Sequence, residues 1–87
     1  MTVPDFDDAP PIEDRVTCYD ERHFVTYLRL LDANDENADW REVVRLIFEI
    51  DPALDATRAK SVHDSHLARA QWMCTSGYRH LLKPRLQ

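Results

Sequence analysis

Glycine is nearly missing from this chain: Gly77 is the single one in 87 residues. That leaves no material for a glycine-rich loop cradling phosphates or for the strained elbow that presents a hydrolase nucleophile. Cysteine is also sparse. Cys18 and Cys74 form neither a Cys-x-x-Cys pair nor a zinc-finger spacing, which removes the usual metal and redox motifs. Both are expected to be reduced thiols, Cys74 as a small buried hydrophobe on a helix stripe and Cys18 exposed. No apolar run approaches the roughly 20 residues of a membrane-spanning helix. Met1 to Asp14 has neither the basic start nor the apolar stretch of a secretory signal, so a cytoplasmic protein with no membrane association is expected. Internal repeats and strand-like alternation are missing too. With no catalytic motif, the chain is expected to be a binding module, not an enzyme, and to need no cofactor, metal or small-molecule ligand.

What the chain does have is charge, 31% of its residues with a formal net of -5, and the charge is segregated. Met1 to Asp14 carries five acids and no base, Arg15 to Ala56 carries ten acids and five bases, and Thr57 to Gln87 reverses the sign with six bases against Asp64. The basic last third suits a polyanion, whereas the overall field opposes long-range attraction to phosphate. Residues 1–17 combine Pro4, Pro10 and Pro11 with the acidic run and few apolar side chains. Too little surface can be buried there to offset ordering entropy, and a disordered acidic tail is expected. Phe6 and Ile12 are the residues that would dock it on the basic third.

From Asp20 the pattern turns helical. Asp20 reads as an N-cap, and Phe24, Tyr27, Leu28 and Leu31 recur at three- and four-residue steps up to about Ala33. Asn34 to Asn37 is a polar break. Asp39 then caps a second helix, with Glu42 three residues on in a capping-box position. Val43, Val44, Ile47 and Phe48 face its core side, and Asp51-Pro52 ends it after Ile50. Asp51 to Ala56 is longer than the usual turn of a helix-turn-helix, and Leu54 is expected to plug it. A third helix, capped by Asp55 or Thr57, runs to about Ser76 on the stripe Ala59, Val62, Leu67, Ala70, Met73 and Cys74. Gly77 stands where a helix wants a left-handed C′ residue. Tyr78, Leu81 and Leu82 suggest a last short turn before Pro84. The expected architecture is an all-α small helical bundle over residues 18–84, with 85–87 frayed.

His63 and His66 lie at a spacing that can share a metal, but no third ligand matches, and a hydrogen-bonded, partly buried His66 is the expectation. Projecting the third helix at 100° per residue places Arg58, Ser61, Ser65, Ala68, Arg69 and Trp72 away from the core stripe. Arginine and tryptophan are favoured interface anchors, which makes Arg69 and Trp72 a candidate contact pair. In a DNA-binding reading, Arg58, Lys60, Ser61 and Arg69 would face phosphates and the major groove, with Asp64 opposing.

Several segments carry a resemblance: Tyr19, Asp20 and His23; Tyr27, Leu28 and Leu30 to Ala33; Ala38 to Glu42; Ile50 to Pro52; Ser65 to Ala70 with Trp72 and Met73; and Gly77 to Leu82. Over roughly residues 19–82 the chain resembles a proteobacterial domain family, long of unknown function, understood as an extended-turn variant of the helix-turn-helix. Its members regulate transfer of integrative and conjugative elements, horizontal gene transfer that quorum sensing governs, as DNA-binding halves of two-domain activators or as stand-alone antiactivators. The acidic tail lies outside the resemblance. The acidic balance and short length resemble the stand-alone kind, which implies repression of excision and transfer. Such a protein binds the activator's N-terminal domain in place of the activator's own related domain, with weak or no DNA binding. Ser65, His66, Arg69 and Trp72, extended by Tyr78 and Arg79, are then the candidate partner-binding residues. Trp40 is expected beneath them as a core or hinge residue. The alternative is a DNA-binding helix-turn-helix transcriptional regulator.

Overall fold

A computed structural model describes residues 6–77. All regular structure among them is helical: α1 spans Cys18–Arg22, α2 Phe24–Asp35, α3 Trp40–Val43 and α4 Ala56–Trp72. Helix α3 runs on as a π-helical turn, Val44–Phe48, and α4 as another, Met73–Gly77. Tyr78, Arg79 and the expected last turn lie outside the described residues.

The first helix starts earlier than its apolar pattern suggests. Thr17 is the N-cap, accepting from the Asp20 amide at 3.3 Å, while the Asp20 carboxylate accepts from the Thr17 amide at 2.8 Å. Asp20 is therefore the third residue of a capping box, not the cap. The helix breaks at His23 (φ -106°, ψ 18°) and restarts as α2. Asn37, at φ 58°, closes the break after α2, a conformation asparagine tolerates better than most residues. Asp39 caps α3 as expected, accepting from the Arg41 amide at 3.0 Å. After the π turn, Glu49 takes a left-handed conformation (φ 57°, ψ 34°) and reverses the chain. Asp51 then accepts from the Ala53 amide at 2.9 Å to shape the turn into α4, which Asp55 caps through the Arg58 amide at 3.1 Å.

The larger core gathers Leu30, Val43, Val44, Ile47, Phe48, Ile50, Ala59 and Val62, and a smaller one gathers Tyr27, Ala70 and Met73. The four core residues expected of the second helix are all buried. Elsewhere the buried faces differ from expectation. Phe24 and Leu28 are half-exposed, because α2 turns His23, Thr26, Tyr27 and Leu30 inward. These are spaced i, i+3, i+4 and i+7 and form a helix stripe in which two members are polar. Leu54 is 86% exposed, and buried Pro52 fills the turn in its place. Cys74 is exposed, as is Cys18.

Residues 6–17 have no helix or strand, but they are packed as a strap and not left as the expected disordered tail. Phe6 meets Phe48 edge-on at 5.0 Å between ring centroids. Pro10 is buried, and Val16 packs on the smaller core. Ile12, the other residue expected to dock, is 99% exposed.

Candidate nucleic-acid interface

The inner side of α4 is more polar than an apolar stripe. His66 is completely buried. Its Nδ1 lies 2.8 Å from the Val62 carbonyl and its Nε2 2.7 Å from the Tyr19 hydroxyl. A neutral imidazole meets both contacts, donating through Nδ1 and accepting at Nε2. Burial, the largest influence, holds the His66 pKa below the ordinary value.

One turn on, Arg69 is buried against Asp20. The guanidinium donates from Nε to Asp20 Oδ1 at 3.0 Å and from one terminal nitrogen to Oδ2 at 2.7 Å. It also donates to the Glu13 and Arg15 carbonyls at 2.6 and 2.7 Å. Tyr27 adds its hydroxyl to Asp20 Oδ1 at 2.8 Å. Burial by itself would raise the Asp20 carboxyl, but the bonds from Arg69, the Thr17 amide and Tyr27 outweigh it and hold the group at about 2. Burial, followed by donation to that carboxylate, pushes the Tyr27 phenol up. This is a structural ion pair, fork on fork, with its remaining valences satisfied.

That geometry corrects the expected contact surface. His66 and Arg69 are inside the molecule, so neither offers a surface to a protein partner or a phosphate. Ser65 is half-buried under the strap, donating to the Asp8 carbonyl at 3.3 Å. Trp72 is half-buried, with the Arg69 guanidinium 4.0 Å from its ring centroid. It borders a shallow apolar groove shared with Pro10, Pro11, Ile12 and Ala68. His63 and His66 do not converge on a metal: His63 Nδ1 lies 2.8 Å from Asp64, and the described residues hold no cluster of metal-ligating side chains.

The opposite end of α4 is different. The N-termini of α3 and α4 meet along a groove lined by Trp40, Arg41, Ala56, Thr57, Lys60 and Ser61. Trp40 is half-buried and rests on the larger core, as a core or hinge residue would. Its outer ring carries two cations, the Arg41 guanidinium and the Lys60 ammonium, each 5.1 Å from the centroid. Both side chains are exposed, and each has an exposed carboxylate partner: Arg41 with Asp39 at 3.7 Å and Lys60 with Asp64, one helical turn on, at 3.2 Å. Of the residues expected to face DNA, Lys60 and Ser61 are in this groove. Arg58 is exposed nearby on α4 with its Nε 3.0 Å from the Asp8 carboxylate. Arg69 is not there. Arg41 and Trp40 were not expected at the site. The signal for them was the Asp39 cap, which fixes where α3 begins and hence which residues its first turn presents beside α4.

Two helices joined by an extended turn, the second presenting its first turns at a groove, share the layout of a helix-turn-helix. Residues 6–83 match the family model RovC_DNA-bd, described as "T6SS, Transcription factor, DNA binding domain", and the chain belongs to that family. The match takes in the acidic strap from Phe6 onward, which the sequence resemblance left outside. No curated protein matches the chain. Among the described residues no helix is long and apolar enough to cross a membrane.

Proposed function

We propose that the chain acts as the DNA-binding domain of a transcriptional regulator, through the groove where α3 meets α4. The observation that carries this reading is the pair of exposed cations, Arg41 and Lys60, held over Trp40 at two adjoining helix N-termini. Helix N-termini favour phosphate through their dipoles, although Asp39 and Asp55 each already take one amide at these two. A rigid ring beneath two flexible cations lowers the cost of aiming them at a backbone. Arg41 and Lys60 then take phosphates on either side of the groove, while Thr57 and Ser61 on the first turns of α4 face base edges. The family description supports the same reading. The protein acts by binding, without catalysing a reaction, and works where the genome is, in the cytoplasm.

The test is fluorescence anisotropy of a labelled promoter duplex at about 50 and about 200 mM salt. Affinity is expected to fall with salt, and Lys60→Gln and Arg41→Gln are each expected to flatten the slope of log affinity against log salt by about 1. Absence of binding at the lower salt would remove this reading.

A second reading rests on the net charge of -5 and on the groove beside Trp72 with Ile12 exposed at its edge. It is a QseM-like antiactivator, docking through that groove on the N-terminal domain of an FseA-like activator of integrative and conjugative element transfer. Trp72→Ala and Ile12→Ala would then weaken capture of that domain, and duplex binding would be absent at both salts.

A further inference from the structure

The acidic strap touches α4 at Arg58 and Ser65, and Arg58 is one of the cations that the sequence assigns to phosphate in a DNA-binding reading. Its course is set by contacts that do not involve acid side chains. Phe6 packs on Phe48 and lies 6.2 Å from the His66 ring, and the Asp7 amide donates to the Tyr19 hydroxyl at 3.1 Å. Pro10 is buried, and the Glu13 and Arg15 carbonyls are held by Arg69. Between these anchors, Asp8 is pressed onto the outer side of α4. Its carbonyl takes the Ser65 hydroxyl at 3.3 Å and its carboxylate takes Arg58 at 3.0 Å. Arg58 is an exposed first-turn cation of α4, outside the residues that line the Trp40 groove. Met1 to Asp14 has no base to offset its five acids.

We infer that the strap is an autoinhibitory contact in which the Asp8 carboxylate occupies the place of a DNA phosphate on Arg58. The inference rests on the DNA-binding reading of the groove. A phosphate and a carboxylate compete for the same guanidinium fork, and an exposed ion pair of this kind contributes only about 0–1 kcal/mol. The mask is therefore weak enough for a duplex to displace, and strong enough to weaken binding to any site that needs Arg58. Because the anchors lie elsewhere, neutralising Asp8 frees Arg58 without dislodging the strap.

The experiment is a double-mutant cycle on the full chain: wild type, Asp8→Asn, Arg58→Gln and the double variant, each titrated against the same labelled duplex over a salt series. Asp8→Asn is expected to bind several-fold tighter at low salt, with a salt slope steeper by about 0.9, the signature of one added phosphate contact. That gain should vanish in the Arg58→Gln background. An equal gain in both backgrounds would mean that Asp8 acts through net charge alone, and overturns the inference while leaving DNA binding intact. Unchanged affinity on Asp8→Asn, with wild type binding, overturns it as well. If none of the four proteins binds, the DNA-binding reading fails and the inference falls with it.

Discussion

Cations meet an indole at each end of α4, Arg69 with Trp72 on the helix itself and, at the other end, Lys60 of α4 and Arg41 of α3 with Trp40 of α3, and the two groups do opposite things. At the C-terminal end the Arg69 guanidinium lies 4.0 Å from the Trp72 ring; at the N-terminal end Arg41 and Lys60 lie 5.1 Å from Trp40. By residue type the first pair is the better contact site. It is disqualified by occupancy: Arg69 is 7% exposed and spends its donors on Asp20 and two backbone carbonyls. The two cations at the other end are exposed, as are their carboxylate partners, and exposed ion pairs contribute little, so these cations remain exchangeable. A cation is available to a ligand when its hydrogen-bonding capacity is unspent, whatever aromatic stands beside it.

The sharpest way to break that comparison is Arg69→Met. Removing the guanidinium leaves Asp20 buried and uncompensated, at a cost of about 3–5 kcal/mol. For a domain this small such a loss is a large share of total stability. Urea denaturation followed by circular dichroism reads it, and a loss below about 1 kcal/mol would show that the buried pair is dispensable. Acid comes next. Asp20 is held at about 2, against an ordinary 3.8, so the unfolded chain takes up a proton first as pH drops. The stability from Asp20 is fully present above roughly pH 4 and drains away as pH falls toward 2. Asp20→Asn should flatten that limb of the profile. His66, also depressed, adds a shallower decline below its ordinary 6.5, since the unfolded chain protonates there before the folded one does.

The all-helical character, the cap at Asp39, Asp55 as one of two candidate caps for the last helix, and the buried face of Val43 to Phe48 were legible in the sequence, because each follows from local chemistry or from apolar spacing, whereas the Thr17 cap and the break at His23 were not. What escaped was any buried stripe with polar members. On α2 the inward line includes His23 and Thr26, and on α4 Arg69 joins His66, the one polar member whose burial was expected. Seven residues from Val62, Arg69 projects onto the core stripe, and sorting by hydrophobicity is what sent it outside and pulled Cys74 in. The partner that permits burial, Asp20, is 49 residues away, so no local window contains the reason. The strap was misread for the same cause. Its acids and prolines do predict a chain without helix or strand, but its anchors are Phe48, Tyr19 and Arg69, supplied by three other elements. The resemblance left the strap outside the domain, although the family match begins at Phe6, and it carried no information on which face binds.

The smallest expected effect is the most discriminating. Arg41→Gln and Lys60→Gln remove charges whose ion pairs are exposed, and such pairs contribute a few tenths of a kcal/mol. Each variant should keep its denaturation midpoint to within about 0.5 kcal/mol of wild type. The same substitutions weaken duplex binding if the groove is the interface, so binding and stability separate there while both collapse at Arg69. A destabilisation of more than about 1 kcal/mol at Lys60 would mean that its ammonium, 5.1 Å over the half-buried Trp40 ring, is part of the core's edge. A desolvated cation–π contact can reach about 2 kcal/mol. The two ends of α4 would then be alike, both structural, and the free cation nearest the groove would be Arg58 once Asp8 releases it.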